Sequence, residues 1–362
     1  MGARAIHFAR ESERDDSRTT ASEMRPPAYQ QVRGSFAEFR MPRVTACLHS
    51  GVTAAGGAPQ TRLQSIYRWI NTDVAPPQSL ESSDQIDWLR AAPFIGMHLA
   101  CLFVFAVGVS KTAIAVAVAL YAVRMFALTG FYHRYFSHKT FRASRRTQFI
   151  FAVIGSAAVQ RGPLWWAAHH RNHHRNADTE RDPHSPTLRG FLWSHVGWFL
   201  TTNAFRTDWT RIPDLARYRE LRWLDRYDIL VPVLLAAAVY GTGVLLQNIA
   251  PGLHTTGWQL LIWGFFISTV VLFHATVTIN SLAHRWGVRR FETKDDSRNN
   301  VWLALITFGE GWHNNHHYYP GSARQGFRWW EIDLTYYGLR VLQAFGIVSH
   351  LRPIPARIAR SS

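Results

Sequence analysis

The chain has 362 residues, with 40 Lys or Arg against 24 Asp or Glu, giving a formal charge of +16 and a pI of about 10.6. Its two cysteines, Cys47 and Cys101, form no CxxC pattern, which leaves thiolate metal sites and a disulfide framework unsupported. No nucleic-acid-binding motif accompanies the positive charge, so it is read as a basic face against anionic lipid headgroups. An acidic electron-carrier protein or an anionic substrate headgroup would use the same face.

Residues 1–85 are rich in Arg, Ser, Thr, Ala, Gly and Pro and lack sustained apolar periodicity, so a basic, disordered tail is expected there. Four long apolar segments follow, at about 93–110, 112–130, 229–249 and 258–279. Each is near the ~20 residues an α-helix needs to cross a bilayer. Short connections within each pair predict two transmembrane hairpins. The connection at 250–257 has no Lys or Arg and the first has only Lys111, whereas 133–228 is crowded with Arg. The positive-inside rule then sends both hairpins in and out from the cytosol, with both termini on that side. Apolar stretches at 149–159 and 191–200 are too short to span and are expected at the interface or in a cytosolic cap. Arg124, inside the second segment, is expected near an end or facing the bundle. The predicted organisation is a tail over 1–85, a membrane domain over 86–350 and a basic C-terminal tail over 351–362.

Three histidine groups lie between the apolar segments: His133 with His138, His170 with His173 and His174, and His313 with His316 and His317. Neutral imidazole is the commonest protein metal ligand. Eight ligands are too many for one ion and suit two. In the form His-x-x-His-His, positions i, i+3 and i+4 share one helix face, so two such helices can present six rings to one cavity. The i, i+5 spacing of the first group does not fit one face of a regular helix. A bend where the second span leaves the membrane is expected to bring those two rings together. Imidazole suits iron, copper and zinc alike, but two irons fit both the ligand number and oxygen chemistry. The fold class is therefore an all-α integral membrane protein, four spans in two hairpins carrying a cytosolic helical cap with a di-metal site. His98 and His274 are read as bundle residues, His169 as a polar neighbour, and His184 and His195 as hydrogen-bonding supports. Asp178, Glu180, Asp182 and Glu310 are candidate acceptors for imidazole N–H groups.

Further runs extend the pattern: Asp182-Pro-His-Ser-Pro186, Ser194-His-Val-Gly-Trp198, Asn280-Ser-Leu-Ala-His284, Gly309-Glu-Gly-Trp-His313 and Trp330-Glu-Ile-Asp333. Together with the histidine groups they resemble the membrane fatty-acid desaturases, in particular the stearoyl-CoA (delta-9) branch, over roughly 93–347. The resemblance implies a ninth histidine ligand, His284, and a water-mediated one, Asn280. It also implies that Gln160, Trp166 and Thr276 shape a kinked acyl tunnel. His313 at the start of the third group, and the lack of a His-Pro-Gly-Gly haem motif, set the chain apart from front-end desaturases. Four residues between His133 and His138 set it apart from hydroxylase relatives. Arg161 and Ala168 stand where animal acyl-CoA members have Asn and Arg. The surrounding sequence is more similar to bacterial, cyanobacterial and plant members, some of which act on lipid-linked chains.

The function implied is O2-dependent introduction of a cis double bond, at delta-9, into a saturated acyl chain by a histidine-bound pair of iron ions. The acyl carrier would be CoA or a lipid. Electrons would come from a separate ferredoxin, cytochrome b5 or rubredoxin type of donor, since the chain has no haem, flavin or iron–sulfur motif. The expected location is a bacterial inner membrane, with the site on the cytosolic side. The alternatives are a hydroxylase of the same superfamily and a non-catalytic membrane metal-binding or transport protein.

Overall fold

A computed structural model describes residues 67–73 and 84–361. Four helices among them are long and apolar enough to cross a membrane: Trp88–Val107, Lys111–Ser137, Leu230–Ile249 and Gly257–Ser281. They match the four predicted segments, and the second runs seven residues beyond its predicted end at 130. The first span exposes Leu99, Leu102, Phe103 and Phe105, an outward apolar surface suited to acyl chains rather than water. The second and fourth spans pack together and are the more buried pair.

The two hairpin turns meet at one end. Ser110 caps the second span by accepting from Ala113 N, and its Oγ lies 2.7 Å from Gln259 Oε1. Gln259 also donates to Val107 O, and Trp263 to Gly108 O. Gly108, at φ 67°, makes the first turn in the left-handed region that favours glycine. Arg124 faces the bundle. Its guanidinium donates to Ser268 Oγ and Thr269 Oγ1, each at 2.6 Å, and to Leu120 O at 3.0 Å. Polar partners on the neighbouring span thus satisfy a cation that would be costly against lipid.

At the opposite end lies a helical cap. The second span changes from α- to π-helical bonding over Ala127–Ser137, where each N–H reaches five residues back. Helix Arg145–Ser156 packs against this segment so closely that a Cβ at Gly155 would overlap the Tyr132 ring. Phe131 stacks on Phe151 there, with ring centroids 3.7 Å apart. Helices Pro163–Asn176, Arg219–Arg226, His313–Tyr318 and Leu334–Ala344 complete the cap. A two-residue strand pair, Arg142–Ala143 with Val348–Ser349, joins its ends. The short apolar stretches at 149–159 and 191–200 belong to this layer rather than to spans.

The expected N-terminal tail lies mostly outside the described residues, but 67–73 do not behave as one. Arg68 pairs with Asp87 at 2.6 Å, and Thr72 Oγ1 donates to Asp225 O. Sequence periodicity is silent over so short a docked segment. The start of the 351–362 tail is likewise held. Arg352 N donates to Thr140 O, Arg352 O accepts from Ala323 N, and Ile358 is buried.

Candidate metal centre

The cap brings nine imidazoles together in two adjoining groups. His133, His138, His170, His174 and His316 form one; His173, His284, His313 and His317 form the other. Within each group, one ligand atom per ring lies within 4.8 Å of all the others. The two His-x-x-His-His helices are shared crosswise. His170 and His174, one turn apart, enter the five-membered group, while His173 enters the other. His313 and His317 enter the four-membered group, while His316 crosses over. The six rings therefore divide between two foci instead of filling one cavity. All nine histidines read from sequence and resemblance take part.

The first pair converges because of the π-helical turns. His138 N bonds to His133 O, five residues back, and the two ring centroids lie 4.9 Å apart. An i, i+5 spacing that fits no α-helical face fits this one.

Carboxylates fix the rings from behind. Nδ1 of His284 bonds Asp178 at 2.7 Å, that of His317 bonds Asp295 at 2.8 Å and that of His173 bonds Asp182 at 3.1 Å. His133 Nδ1 contacts Glu310. Each of these bonds places the ring proton on Nδ1 and leaves Nε2 as a free lone pair. Those lone pairs then face other imidazoles: His284 Nε2 is 3.0 Å from His313 Nε2, and His133 Nε2 is 3.0 Å from His316 Nε2. His317 Nε2 is buried with no hydrogen-bond partner. Burying such an acceptor unpaired costs about 1–3 kcal/mol. A cation between the rings would satisfy these atoms together, so the donor set fits a metal ion.

Electrostatics point the same way. Burial, and then repulsion from neighbouring rings, pushes His170, His174, His313 and His316 well below the ordinary imidazole range. Burial lowers His317 to about 4 despite Asp295. Burial alone would raise Asp178, but its bonds to His284, Asp296 N and Ser185 bring it to about 2. These five rings are thus held neutral and Asp178 charged, as metal ligands and their supports must be, whereas Asp182 outweighs burial at His173 and raises it.

The third group owes its position to its two asparagines. Asn314 Oδ1 accepts from Arg290 N and Phe291 N, both at 2.8 Å. Asn315 Nδ2 donates to Gln325 O and Glu331 Oε2, both at 2.9 Å. Arg134, fully buried, ties Glu310 at 3.1 Å to Asp333 at 2.9 Å. The Trp330-Glu-Ile-Asp333 run therefore supplies the two carboxylates that anchor the site. Breaking such a buried pair costs about 3–5 kcal/mol.

Of the four candidate supports, Asp178, Asp182 and Glu310 bond ligand rings, whereas Glu180 is exposed and takes no such place. Asp295 and Gln325, which lies 3.3 Å from His133 Nδ1, were not legible in the sequence. His169 packs on Trp165 with the rings tilted by 46°, outside both groups, and His184 packs on His173 beside their shared Asp182. His195 bonds no ligand ring; it joins His274 and His98.

A cavity of about 300 Å³ runs beside the five-membered group. Its lining includes His170, Gln160, Trp166, Thr276 and Asn280. Trp166 stacks on His170 with centroids 5.0 Å apart, and Gln160 donates to Thr276 Oγ1 at 3.2 Å. The far wall is apolar, with Phe94, Phe199 and Phe273 in mutual edge contact. Arg161 lies at the cavity's polar edge, paired with Asp228 at 2.7 Å and set over the Phe205 ring.

Four apolar spans and a cap with two polyhistidine foci define a class of membrane protein built to hold metal beside a greasy cavity. The fatty acid desaturase profile matches residues 110–347, and the chain belongs to that family. It is 35% identical over 271 residues to the sn-1 stearoyl-lipid 9-desaturase of Anabaena variabilis, covering 74% of this chain and 94% of that one. It is 38% identical over 229 residues to the sn-2 palmitoyl-lipid 9-desaturase of Nostoc sp. (strain 36), covering 62% and 75%. It is also 38% identical over 236 residues to the icosanoyl-CoA 5-desaturase of Limnanthes douglasii, covering 64% and 62%.

Proposed function

We propose that the protein is an acyl-lipid 9-desaturase, using two iron ions, dioxygen and electrons from a separate carrier protein. The observation that carries this reading is the placement of the five-histidine group against a largely apolar cavity, with Trp166 stacked on His170 at their junction. Acyl-lipid rather than acyl-CoA substrates are favoured because Arg161 is engaged by Asp228 and Phe205, and because lipid-acting relatives match well. The basic cap, and hairpin turns whose one Lys or Arg is Lys111, favour a cytosolic site in a bacterial inner membrane.

His133, His138, His170, His174 and His316 would hold one iron. His173, His284, His313 and His317 would hold the other, with Asn280 reaching through a water. Bound iron supplies the oxidising power toward unactivated C–H bonds that side chains lack. The protein's own part is positional. Gln160, Trp166 and Thr276 bend the acyl chain, the Phe94, Phe199 and Phe273 wall keeps the cavity dry, and the depth reached fixes which two carbons lie beside the rings.

The test is the fatty-acid methyl-ester profile of a desaturase-deficient host expressing the chain, beside a His317→Ala control. A delta-9 monounsaturated acid absent from the control is the expected result. A bond at another position would revise the regiochemistry, and a hydroxylated acid would select the hydroxylase alternative. Retained metal without oxygen consumption would favour a non-catalytic protein.

A further inference from the structure

Two short helices of the cap carry outward faces that are unlike a surface in water. Helix Leu334–Ala344 turns Thr335 and Leu339 inward and exposes Leu334, Tyr337, Val341 and, at its C-cap, Phe345. Their spacing of three and four residues makes one stripe. Arg340 is the one charged residue of that helix and stands at the edge of the stripe. Helix Val301–Ile306 has no charged residue and exposes Val301, Trp302, Leu305 and Ile306. Phe345 is 78% exposed and Trp302 65%. A contiguous apolar face of this kind marks a surface that something covers.

The second span shows how deep these helices lie. Lys111, the one Lys or Arg of the hairpin turns, begins that span and marks one edge of the membrane. The first and third spans have 20 residues each. At ~1.5 Å per residue that is about 30 Å, the thickness of the hydrocarbon layer. Helix Leu334–Ala344 meets the second span at Phe126, Thr129 and Gly130. A Cβ at Gly338 would overlap the Phe126 ring, Thr335 Oγ1 lies 2.7 Å from Thr129 Oγ1, and Leu339 packs beside Gly130. Those residues stand about 22–29 Å from Lys111, inside the apolar layer and within ~10 Å of its cap-side edge. Helix Val301–Ile306 reaches deeper. The Tyr121 hydroxyl donates to Ile306 O, and the Phe308 ring meets that of Tyr121 with centroids 6.3 Å apart. Tyr121 stands about 15 Å from Lys111, near the middle of the layer. Phe308 O accepts from Thr335 N, which joins the two helices into one arm.

We infer that this arm of the cap is sunk into the cap-side leaflet, with lipid acyl chains covering its apolar face. The chain then enters that leaflet once more, besides its four crossings, without spanning it. The face continues the lipid-facing surface of the spans on which it packs, at a depth that a partner in water does not reach. The turn after Val301–Ile306 suits such surroundings: Thr307 N donates to Leu303 O and Gly309 N to Ala304 O. A layer without water demands backbone bonds made within the protein. Arg340, at the edge of the stripe, has the length to carry its charge to the headgroups.

The test uses the full chain with Cys47→Ser and Cys101→Ser, held in phosphatidylcholine nanodiscs open to solvent on both faces. Phe345→Cys and Trp302→Cys are compared with Arg217→Cys on the exposed surface of the cap. Val341→Cys and Leu305→Cys repeat each reading at a neighbouring position, so the loss of one variant leaves the test standing. A membrane-impermeant maleimide should label the four apolar positions at least ~10-fold more slowly than Arg217→Cys, because apolar surroundings suppress the thiolate. A polarity-sensitive fluorophore attached before reconstitution should emit at shorter wavelength at these positions than at 217. Brominated acyl chains in the disc should quench it there, and aqueous iodide should not. Labelling as fast as in Arg217→Cys would overturn the inference and leave the face open to water. Slow labelling without quenching by brominated lipid would also overturn it, since protein, such as a second copy of the chain, would then cover the face. No turnover is read, so the outcome stands apart from the proposed activity.

Discussion

The two histidine groups are built alike and compensated differently. Behind the four-membered group stand three carboxylates: Asp182 on His173, Asp178 on His284 and Asp295 on His317. Behind the five-membered group stands Glu310 on His133, and its charge is shared with Arg134. The richer ligand set thus has the poorer charge balance, and it is the one beside the cavity. A cation held there would keep more of its own charge and be the better placed to act on a chain, while the other focus would bind its ion more tightly. Ligand number alone would have ranked the two the other way.

The largest expected effect comes from neighbours on one helix. His316→Ala and His317→Ala should each reduce product at least ~100-fold, since losing a ligand exceeds the ~10–100-fold cost of losing its support. They should do so by emptying different foci. Next come the supports. Asp178→Asn should weaken metal binding ~10–100-fold at the four-membered group. In a chelator time course the wild type should lose its five-membered focus first, and Asp178→Asn should shrink or reverse that order. A single loss phase in both proteins would erase the distinction between the groups.

Acid should act on both foci. His317 is lowered to about 4, and His170, His174, His313 and His316 are also lowered. Free imidazole takes a proton near pH 6.5 while the folded rings stay neutral, so folding and metal retention are at full strength above that value. Both should weaken as pH falls from 6.5 toward 4. Metal release and loss of thermal stability over that window, followed by calorimetry and metal analysis, is the expected outcome. The smallest effect concerns the cavity. Thr276→Val removes the 3.2 Å bond from Gln160 and leaves the foci untouched. It should change the ratio of double-bond positions while rate falls only a few-fold, about 1 kcal/mol for one hydrogen bond.

Much of this was legible in the residues. The four spans follow from apolar runs of bilayer length, and eight of the nine rings from their grouping. His284 stands alone in sequence, and only its likeness to a family motif brought it in. The π-helical end of the second span was visible as a misfit, since i, i+5 has no α-helical face, though the remedy could not be named. The crosswise sharing was hidden because it depends on how two helices face each other, which spacing within either does not contain. Asp295 sits in a run of charges, Lys294-Asp-Asp296, that reads as a solvated loop. The docking of 67–73 rests on a few polar contacts with Asp87 and Asp225, far away in the chain.

Metal analysis of the purified protein tests the central claim most directly, with His138→Ala and His284→Ala as partners. The account predicts about two irons per chain in the wild type and about one in each variant, with the remaining ion distinct in its spectrum between the two. One ion in the wild type, or complete loss of metal from both variants, would contradict two separable foci.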